Sequence, residues 1–380
     1  MRKNILKRIS VLSLIAILFS LASVGVAAAE TDTTAVCLTD SELTSLKGAS
    51  VTVARDLPTH RTTDYKGLRL YVGGMPFGVK FLTEGVIVSG FNENATGSEK
   101  NPAKEAGLRI NDIIISIDGK KILGAAELNE AVETCSGRTM RIKYSRDGQV
   151  LDTALTPIYS KTEGRYSVGM YVRDSGAGIG TITYIMPKTH EFAGLGHGIC
   201  DGATGRLIPI QRGSVVGVKI NGIVKGLSGA PGEVKGYFNS GKTGTLLGNT
   251  DCGVWGVLAT LPKGTEDTLV EVGTRESIKE GRAYVYTQLD SDKVEKYEIR
   301  ISDVQRDATG NKCFAVKITD KALISKTGGI IQGMSGSPII QDGKLVGAVT
   351  HVLINDPTTG YGIFIENMLN AAQMPMAKAS

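Results

Sequence analysis

The sequence has little of what several classes of protein require. Five cysteines in 380 residues are too few and too scattered for a disulfide-built fold, and their odd number leaves at least one unpaired. Aromatic residues make up only 6%, whereas glycines number 48. This balance favours turn-rich β structure, because glycine adopts the positive φ angles that hairpins and bulges need. An all-helical bundle is therefore disfavoured, and we predict no specific disulfide.

The chain also carries little excess positive charge after residue 8. The formal net charge is +5 at pH 7, but four of the positive charges lie in residues 1–8. A nucleic-acid partner normally needs a basic surface that displaces counterions from phosphates. We therefore expect no nucleic-acid partner.

Only one long hydrophobic run is present. It extends from Ile9 to Ala29, follows a basic start and ends in three alanines before Glu30. A run that can cross a bilayer takes about 20 residues, so the pattern predicts a signal peptide or signal-anchor at 1–29. Everything after Glu30 is then expected on the outer face of a membrane.

The rest of the chain is long enough for two domains of roughly 100–200 residues each. Residues 30–67 lack sustained periodicity and are predicted to be a linker. In 68–160, strands are interrupted by two short helices, at 101–108, with Pro near its start and Gly near its end, and at 125–135. In 161–380, short strands follow one another between glycines, which predicts a β-sandwich or barrel.

The most informative motif surrounds Ser335, in the stretch Gly-Met-Ser-Gly-Ser-Pro that runs into an apolar strand. A serine between glycines on a tight turn exposes its hydroxyl, and the N–H groups of Gly333 and Ser335 can converge on an oxyanion. Ser337 is the competing nucleophile, but Pro338 follows it and we favour Ser335. The alternative interpretation is a Gly-Ser turn with no chemistry.

A nucleophilic serine needs a base, and the chain has four histidines. His197 stands between glycines and precedes Ser335, which is the chain order of chymotrypsin-like peptidases. His351 lies on the strand after the serine and is interpreted as a half-buried structural residue. His60 falls in the linker and His190 in a predicted loop.

The residues alone leave the acid open. Asp201, Asp251 and Asp320 are the candidates, and each could equally be a turn residue that bonds its own backbone. A metal site of His197 and Cys200 with Cys252 or Cys313 is a rival interpretation, but the sequence contains no C-x-x-C pair. We predict no metal and no cofactor.

The segment around Ser335 resembles the nucleophile turn of chymotrypsin-like serine peptidases. Met334 stands where an acid normally precedes the serine. The resemblance therefore excludes activation by a new N-terminus that pairs with this acid.

Residues 103–119 resemble a bacterial protease-associated PDZ domain. In that family the loop before the second strand binds a peptide, which adds as a further strand. The resemblance assigns this role to Phe77, Gly78 and Val79. Pro76 replaces the usual first glycine and removes a donor, so an internal peptide segment is as good a ligand as a C-terminus.

The Gly-His-Gly-Ile motif at His197 and the Ser335 motif, together with the N-terminal segment and PDZ unit, resemble the stage IV sporulation protein B peptidases of endospore-forming bacteria. The resemblance implies a mainly β chain, with a PDZ-like α+β domain at 68–160 followed by a chymotrypsin-like β-barrel serine peptidase domain at 161–380. It also implies a catalytic triad of His197, Asp320 and Ser335.

The same resemblance implies an endopeptidase that crosses the forespore membrane into the intermembrane space. There it cleaves itself and a membrane-bound inhibitor, which releases an intramembrane protease that activates a late mother-cell sigma factor. The alternative function is a catalytically silent, PDZ-containing extracytoplasmic binding scaffold.

Overall fold

The structure is a computed structural model that describes residues 65–92, 100–161, 163–202, 205–290 and 293–373. The predicted targeting segment at 1–29 and most of the predicted linker lie outside these residues. Within the described part of the chain, none of the helices has the length and apolar character needed to cross a membrane.

Strands dominate the described residues. They are β1 (Arg69–Val72), β2 (Pro76–Phe91), β3 (Ile113–Ile117), β4 (Lys120–Lys121), β5 (Met140–Arg146), β6 (Gln149–Leu155), β7 (Ile158–Ser160), β8 (Arg165–Ser167), β9 (Met170–Ile185), β10 (Glu191–Gly194), β11 (Ile210–Val224), β12 (Glu233–Thr250), β13 (Gly253–Leu258), β14 (Leu269–Val272), β15 (Gly281–Thr287), β16 (Glu295–Ser302), β17 (Phe314–Ile318), β18 (Pro338–Gln341), β19 (Lys344–Leu353) and β20 (Asp356–Phe364). The helices are α1 (Pro102–Glu105), α2 (Ala125–Thr134), α3 (Lys321–Thr327) and α4 (Ile365–Gln373), with 3-10 turns at Thr265–Thr268 and Arg275–Ser277.

The first barrel is a closed ring of six antiparallel strands. Its order around the ring is β2, β9, β10, β13, β12 and β11, which pairs again with β2. Phe77, Val79 and Phe81 alternate along β2, so their side chains share one face, and all three are buried in the barrel core. The ring of Phe77 packs edge-on against Phe192, with centroids 5.5 Å apart.

A second ring of six antiparallel strands forms the other barrel. Its order is β15, β16, β17, β20, β19 and β18, which pairs again with β15. β1 pairs with both β9 and β14, and β14 lies parallel to β19, so the two barrels are joined through their sheets. Two adjacent barrels confirm the mainly β architecture predicted for the peptidase part.

The PDZ unit has its own apolar core, to which the outer half of β2, β3, β5, β6 and both short helices contribute. Asn101 caps α1, since its side chain accepts from the backbone N–H of Lys104 at 3.1 Å, and Pro102 follows at the first helical position. The Asp118-Gly119 turn has positive φ at both residues, as a tight hairpin requires. These helices and this turn follow the sequence prediction.

The observed domain boundary differs from the one predicted from the sequence. The first half of β2 lies in the barrel, where it pairs with β9 on one edge and β11 on the other. The chain enters the PDZ unit only after Thr83, and β9 returns it to the barrel at Ser175, which pairs with Leu82. The PDZ unit is thus inserted between two strands of the first barrel, rather than preceding the peptidase domain.

The predicted peptide-binding residues need the same correction. Phe77, Gly78 and Val79 lie in the barrel half of β2, and neighbouring strands pair with both of its edges. Phe77 and Val79 are also fully buried. This stretch therefore offers a peptide no free edge.

Candidate active site

Residues from both barrels line one cavity of about 560 Å³. His197, from the loop after β10, and Ser335, from the turn before β18, both face it. Apolar residues on either side of Ser335 form much of the wall, including Ile330 and Ile354. The structure thus brings the predicted nucleophile and the predicted base to one site.

The turn around Ser335 is bound to β19, the second strand after it. Gly336 has a φ of +93°, and a Cβ at this position would collide with the backbone of Thr181 and Leu195. Only glycine permits this close approach of the two barrels. The Gly336 N–H donates to the carbonyl of Val349 at 2.8 Å, and the Ser335 hydroxyl donates to the carbonyl of Thr350 at 2.9 Å.

Ser335 faces the cavity, whereas its neighbours face the protein interior. Ser337 is fully buried and does not line the cavity, which favours Ser335 as the nucleophile. Met334 is also fully buried, within the core of the second barrel. An apolar side chain there leaves no acid for a new N-terminus to pair with.

His197 is held as a neutral base. Its Nδ1 lies 2.9 Å from the carbonyl of Gly198. Because a carbonyl only accepts, Nδ1 carries the proton and Nε2 keeps a lone pair. Burial lowers the pKa of His197 below its usual value, so the imidazole is neutral at pH 7.

The predicted oxyanion donors are uncommitted. Among the described residues, neither the Gly333 nor the Ser335 N–H donates a hydrogen bond. Their carbonyls are held from the first barrel, since the Thr181 hydroxyl donates to Gly333 at 2.7 Å and the Thr181 N–H donates to Ser335 at 3.0 Å. The turn is fixed while both amides stay available to an oxyanion.

His351 is a site residue that the sequence interpretation missed. It lines the same cavity, and its ring centroid lies 5.1 Å from that of His197. Strand pairing brings His351 to the site. β19 folds back on β18, and Thr350, the residue before His351, bonds to Ser335.

The structure does not bring Asp320 to His197. Its carboxylate caps α3, where Oδ1 accepts from the backbone N–H groups of Ala322 at 2.9 Å and Leu323 at 3.0 Å. Asp320 also does not line the cavity. Its role as the acid rests on the family resemblance alone and stays a prediction.

The other two acid candidates do not line the cavity either. Asp201 is buried and forms an ion pair with Arg173 of β9. Asp251 is exposed on the turn between β12 and β13. Its negative charge adds to burial in raising the pKa of Cys200.

The tip of the β11–β12 hairpin forms one side of the cavity, through Pro231. Its backbone bonds to the segment just before Ser335 and to the turn after β19. The Gln332 N–H donates to the carbonyl of Gly232 and the Gly229 N–H donates to the carbonyl of Ile354, both at 2.8 Å.

The described residues contain four free cysteines, Cys135, Cys200, Cys252 and Cys313. In the same part of the chain, no group of three or more histidine, cysteine, aspartate or glutamate residues could hold a metal ion.

Known proteins resemble this chain in both of its parts. The SpoIVB peptidase S55 family matches residues 164–369, and the PDZ domain family matches residues 76–156. Serine protease HTRA1 of Xenopus tropicalis is 33% identical over 76 residues, which are 18% of this chain and 16% of that protein. This chain therefore matches only a small part of that relative's length.

Two solved structures illustrate the two parts. The PDZ domain of an SdrC-like protein from Listeria monocytogenes is 20% identical and covers 23% of this chain and 87% of its own, with a TM-score of 0.20. The active form of the Rv3671c protease from M. tuberculosis is 16% identical and covers 52% of this chain and 75% of its own, with a TM-score of 0.31.

The peptidase match spans more than half of the chain and includes both His197 and Ser335. The PDZ match falls on the segment that carries the inserted unit. The chain belongs to the SpoIVB peptidase S55 family and contains a PDZ domain.

Proposed function

We propose that Ser335 is the nucleophile and His197 the general base of an extracytoplasmic peptidase of sporulation. The observation that carries the assignment is that these two side chains, from different barrels, face one cavity beside two uncommitted amides. A nucleophile, a neutral base and oxyanion donors are the groups that acyl transfer requires.

The reaction begins when the Ser335 hydroxyl turns from the Thr350 carbonyl to Nε2 of His197. Oγ attacks the scissile carbonyl, the proton passes to Nε2, and the negative oxygen is stabilised by the N–H groups of Gly333 and Ser335. His197 then returns the proton to the leaving amine. Water hydrolyses the acyl-enzyme by the same steps.

The substrates we propose are the protein itself and a membrane-bound inhibitor of an intramembrane protease. Cleavage of that inhibitor would release the protease and activate a late mother-cell sigma factor. The support for this role is the family resemblance, together with the hydrophobic segment at 1–29, which suits export across the forespore membrane. The intermembrane space is then the site of action, and the PDZ unit selects the targets.

Mass spectrometry of the protein incubated alone, beside its Ser335→Ala form, tests the proposal. Self-cleavage by the parent protein alone, with a new N-terminus between Glu30 and about Leu68, supports it. Equal cleavage of both forms would contradict it. Absence of cleavage, with no labelling by a serine-directed fluorophosphonate, would favour the silent binding scaffold.

A further inference from the structure

The β11–β12 hairpin carries positive charge that the rest of the exported chain lacks. Residues 210–250 contain five basic residues and one acid, Glu233. By contrast, the formal net charge of +5 for the whole chain falls to +1 once the four basic residues at 1–8 are left out. Positive charge is therefore concentrated on this hairpin, where it attracts partners of the opposite charge.

One face of the hairpin is packed and the other is open. Ile223 and Val234 lie opposite each other on the two strands, and both pack against the core of the second barrel. Side chains alternate between the two faces of a strand. Glu233, Lys235 and Tyr237 of β12 therefore point away from that barrel.

The open face combines lysines with apolar side chains. Lys219 lies opposite Tyr237, which is 46% exposed, and Lys235 is on the same side of β12. At the tip, Lys225 is exposed and Leu227 is 67% exposed. We call these five residues the basic face of the hairpin.

The positive charge of the basic face is little compensated. The acid Glu233 lies 3.9 Å from Lys235, and both side chains are about half exposed to water. Within the described part of the chain, Lys219 and Lys225 form no ion pair. The three lysines thus present their charge to solvent.

A membrane surface of anionic lipids fits both features of the basic face. Lysines near a bilayer are attracted by acidic headgroups. Tyrosine and leucine side chains among them enter the boundary between the headgroups and the acyl chains. A free phosphate or a nucleic acid would use the charges but leave Leu227 in water.

The same hairpin borders the cavity that holds Ser335. Pro231 of its tip lines this cavity, and so does Leu353, which is 37% exposed at the end of β19. The Gly229 N–H donates to the carbonyl of Ile354, which fixes the tip beside that end of β19. A bilayer on the basic face would therefore lie close to residues that line the cavity.

We propose that the basic face of the β11–β12 hairpin binds a membrane surface of anionic lipids. Contact with lipid needs no catalysis, so this binding goes beyond the proposed function. Its consequence rests on that function, because the contact holds the cavity beside the bilayer that carries a membrane-bound substrate.

A tryptophan placed on the basic face tests the contact directly. Tyr237→Trp is made in the full chain with Ser335→Ala, so that self-cleavage cannot remove residues 1–29. Tyr159→Trp in the PDZ unit is the control probe, since Tyr159 is 51% exposed, close to the 46% of Tyr237. The vesicles contain brominated phosphatidylcholine, which quenches tryptophan on contact, with or without phosphatidylglycerol. The signal of Trp255, the single tryptophan of the chain, is measured separately and subtracted.

We expect the Tyr237→Trp probe to lose about half of its emission in vesicles that contain phosphatidylglycerol. It should change little in phosphatidylcholine alone. The hydrophobic segment at 1–29 inserts into both kinds of vesicle, so the difference between them reports the basic face. The Tyr159→Trp probe should be quenched in neither.

Two sets of variants separate the basic face from positive charge in general. Each set replaces three exposed lysines by glutamine in the protein that carries the Tyr237→Trp probe. The set on the basic face is Lys219→Gln, Lys225→Gln and Lys235→Gln, and the control set in the PDZ unit is Lys121→Gln, Lys143→Gln and Lys161→Gln. The first set should abolish the quenching and the control set should keep it. About 1 M salt, which shortens the Debye length to about 3 Å, should also abolish it.

Absence of quenching at the Tyr237→Trp probe in anionic vesicles would overturn the inference, as would equal quenching in neutral vesicles or at Tyr159→Trp. Emission that changes with protein concentration, but not on addition of vesicles, would assign the face to a second copy of the chain instead. If the lysine variants do not fold, the salt dependence of the probe decides in their place. Because the probe is carried by Ser335→Ala, an inactive parent enzyme would defeat the proposed function and leave lipid binding standing.

Discussion

The carboxylate of Asp320, which the family resemblance assigns to the triad, caps a helix in the structure. Its Oδ1 accepts two N–H groups of the first turn of α3. A helix cap of this kind stabilises a protein by about 1 kcal/mol relative to alanine, and asparagine replaces aspartate well.

We therefore expect Asp320→Ala to lower the free energy of unfolding by about 1 kcal/mol. Asp320→Asn keeps the cap, so the free energy of unfolding should stay near the parent value, whereas kcat should fall by about 10⁴ if Asp320 is the acid. Urea unfolding and peptide turnover measure the two effects. A near-parent kcat in Asp320→Asn, with the fold intact, would contradict the assignment of Asp320 as the acid.

The titration of His197 sets the pH range of the enzyme. Burial lowers the pKa of His197 in the folded protein, and the base acts only when neutral. Activity should therefore be present above this lowered pKa and be lost as the pH falls through it. We expect the acid midpoint of kcat/KM to lie below about 6.5, the ordinary pKa of histidine. A midpoint above 7 would contradict a buried His197 with a lowered pKa.

At the scale of elements, the tip of the β11–β12 hairpin lines the cavity and is bonded to the second barrel. Its tip bonds to Gln332 on one side of Ser335 and to Ile354 on the other. These are main-chain groups with which an extended peptide could pair. We expect a peptide that pairs along this edge to displace the tip first.

Gly229→Pro should loosen the tip, because proline has no N–H to give to Ile354 and cannot adopt the φ of +82° found at Gly229. We expect kcat/KM for a long peptide to rise about threefold to tenfold, with labelling by a small fluorophosphonate unchanged. Gly222→Ala is the control, since a Cβ at Gly222 meets no neighbour. A fall in kcat/KM would show that the tip builds the substrate site rather than covering it.

Features decided by local sequence were the ones that could be predicted. The Asn101 cap with Pro102, the Asp118-Gly119 turn and the turn at Ser335 each depend on a few adjacent residues. Their conformations follow from caps and from glycine's tolerance of positive φ.

Features that depend on pairing between strands far apart in the chain were not predicted. Phe77-Gly78-Val79 resembles the loop before a PDZ strand, and only its pairing with β9 and β11 assigns it to a strand of the barrel. His351 was likewise read as structural, because its proximity to His197 depends on how β19 packs against the loop after β10.

At the scale of the whole molecule, the PDZ unit is an insertion whose two ends are adjacent. Leu82 pairs with Ser175, so the chain leaves and re-enters the first barrel at neighbouring positions. The PDZ unit also contributes Arg173, which pairs with buried Asp201.

Replacing residues 84–173 by an Asn-Gly turn should therefore leave both barrels folded, since a two-residue loop can join adjacent antiparallel strands. Asp201→Asn is included so that no unpaired carboxylate stays buried. We expect labelling by the small probe to persist and cleavage of protein targets to fall. Deletion of 68–160 should abolish folding, because it removes barrel strands; a folded product from that deletion would contradict the topology.

The central claim, that Ser335 is the nucleophile and His197 its base, is tested most directly by locating a fluorophosphonate adduct by mass spectrometry. We expect the label on Ser335 in the parent protein, none in Ser335→Ala, and a rate about 10⁴-fold lower in His197→Ala, with all three proteins equally folded. A label on Ser337, or unchanged labelling in His197→Ala, would contradict the claim.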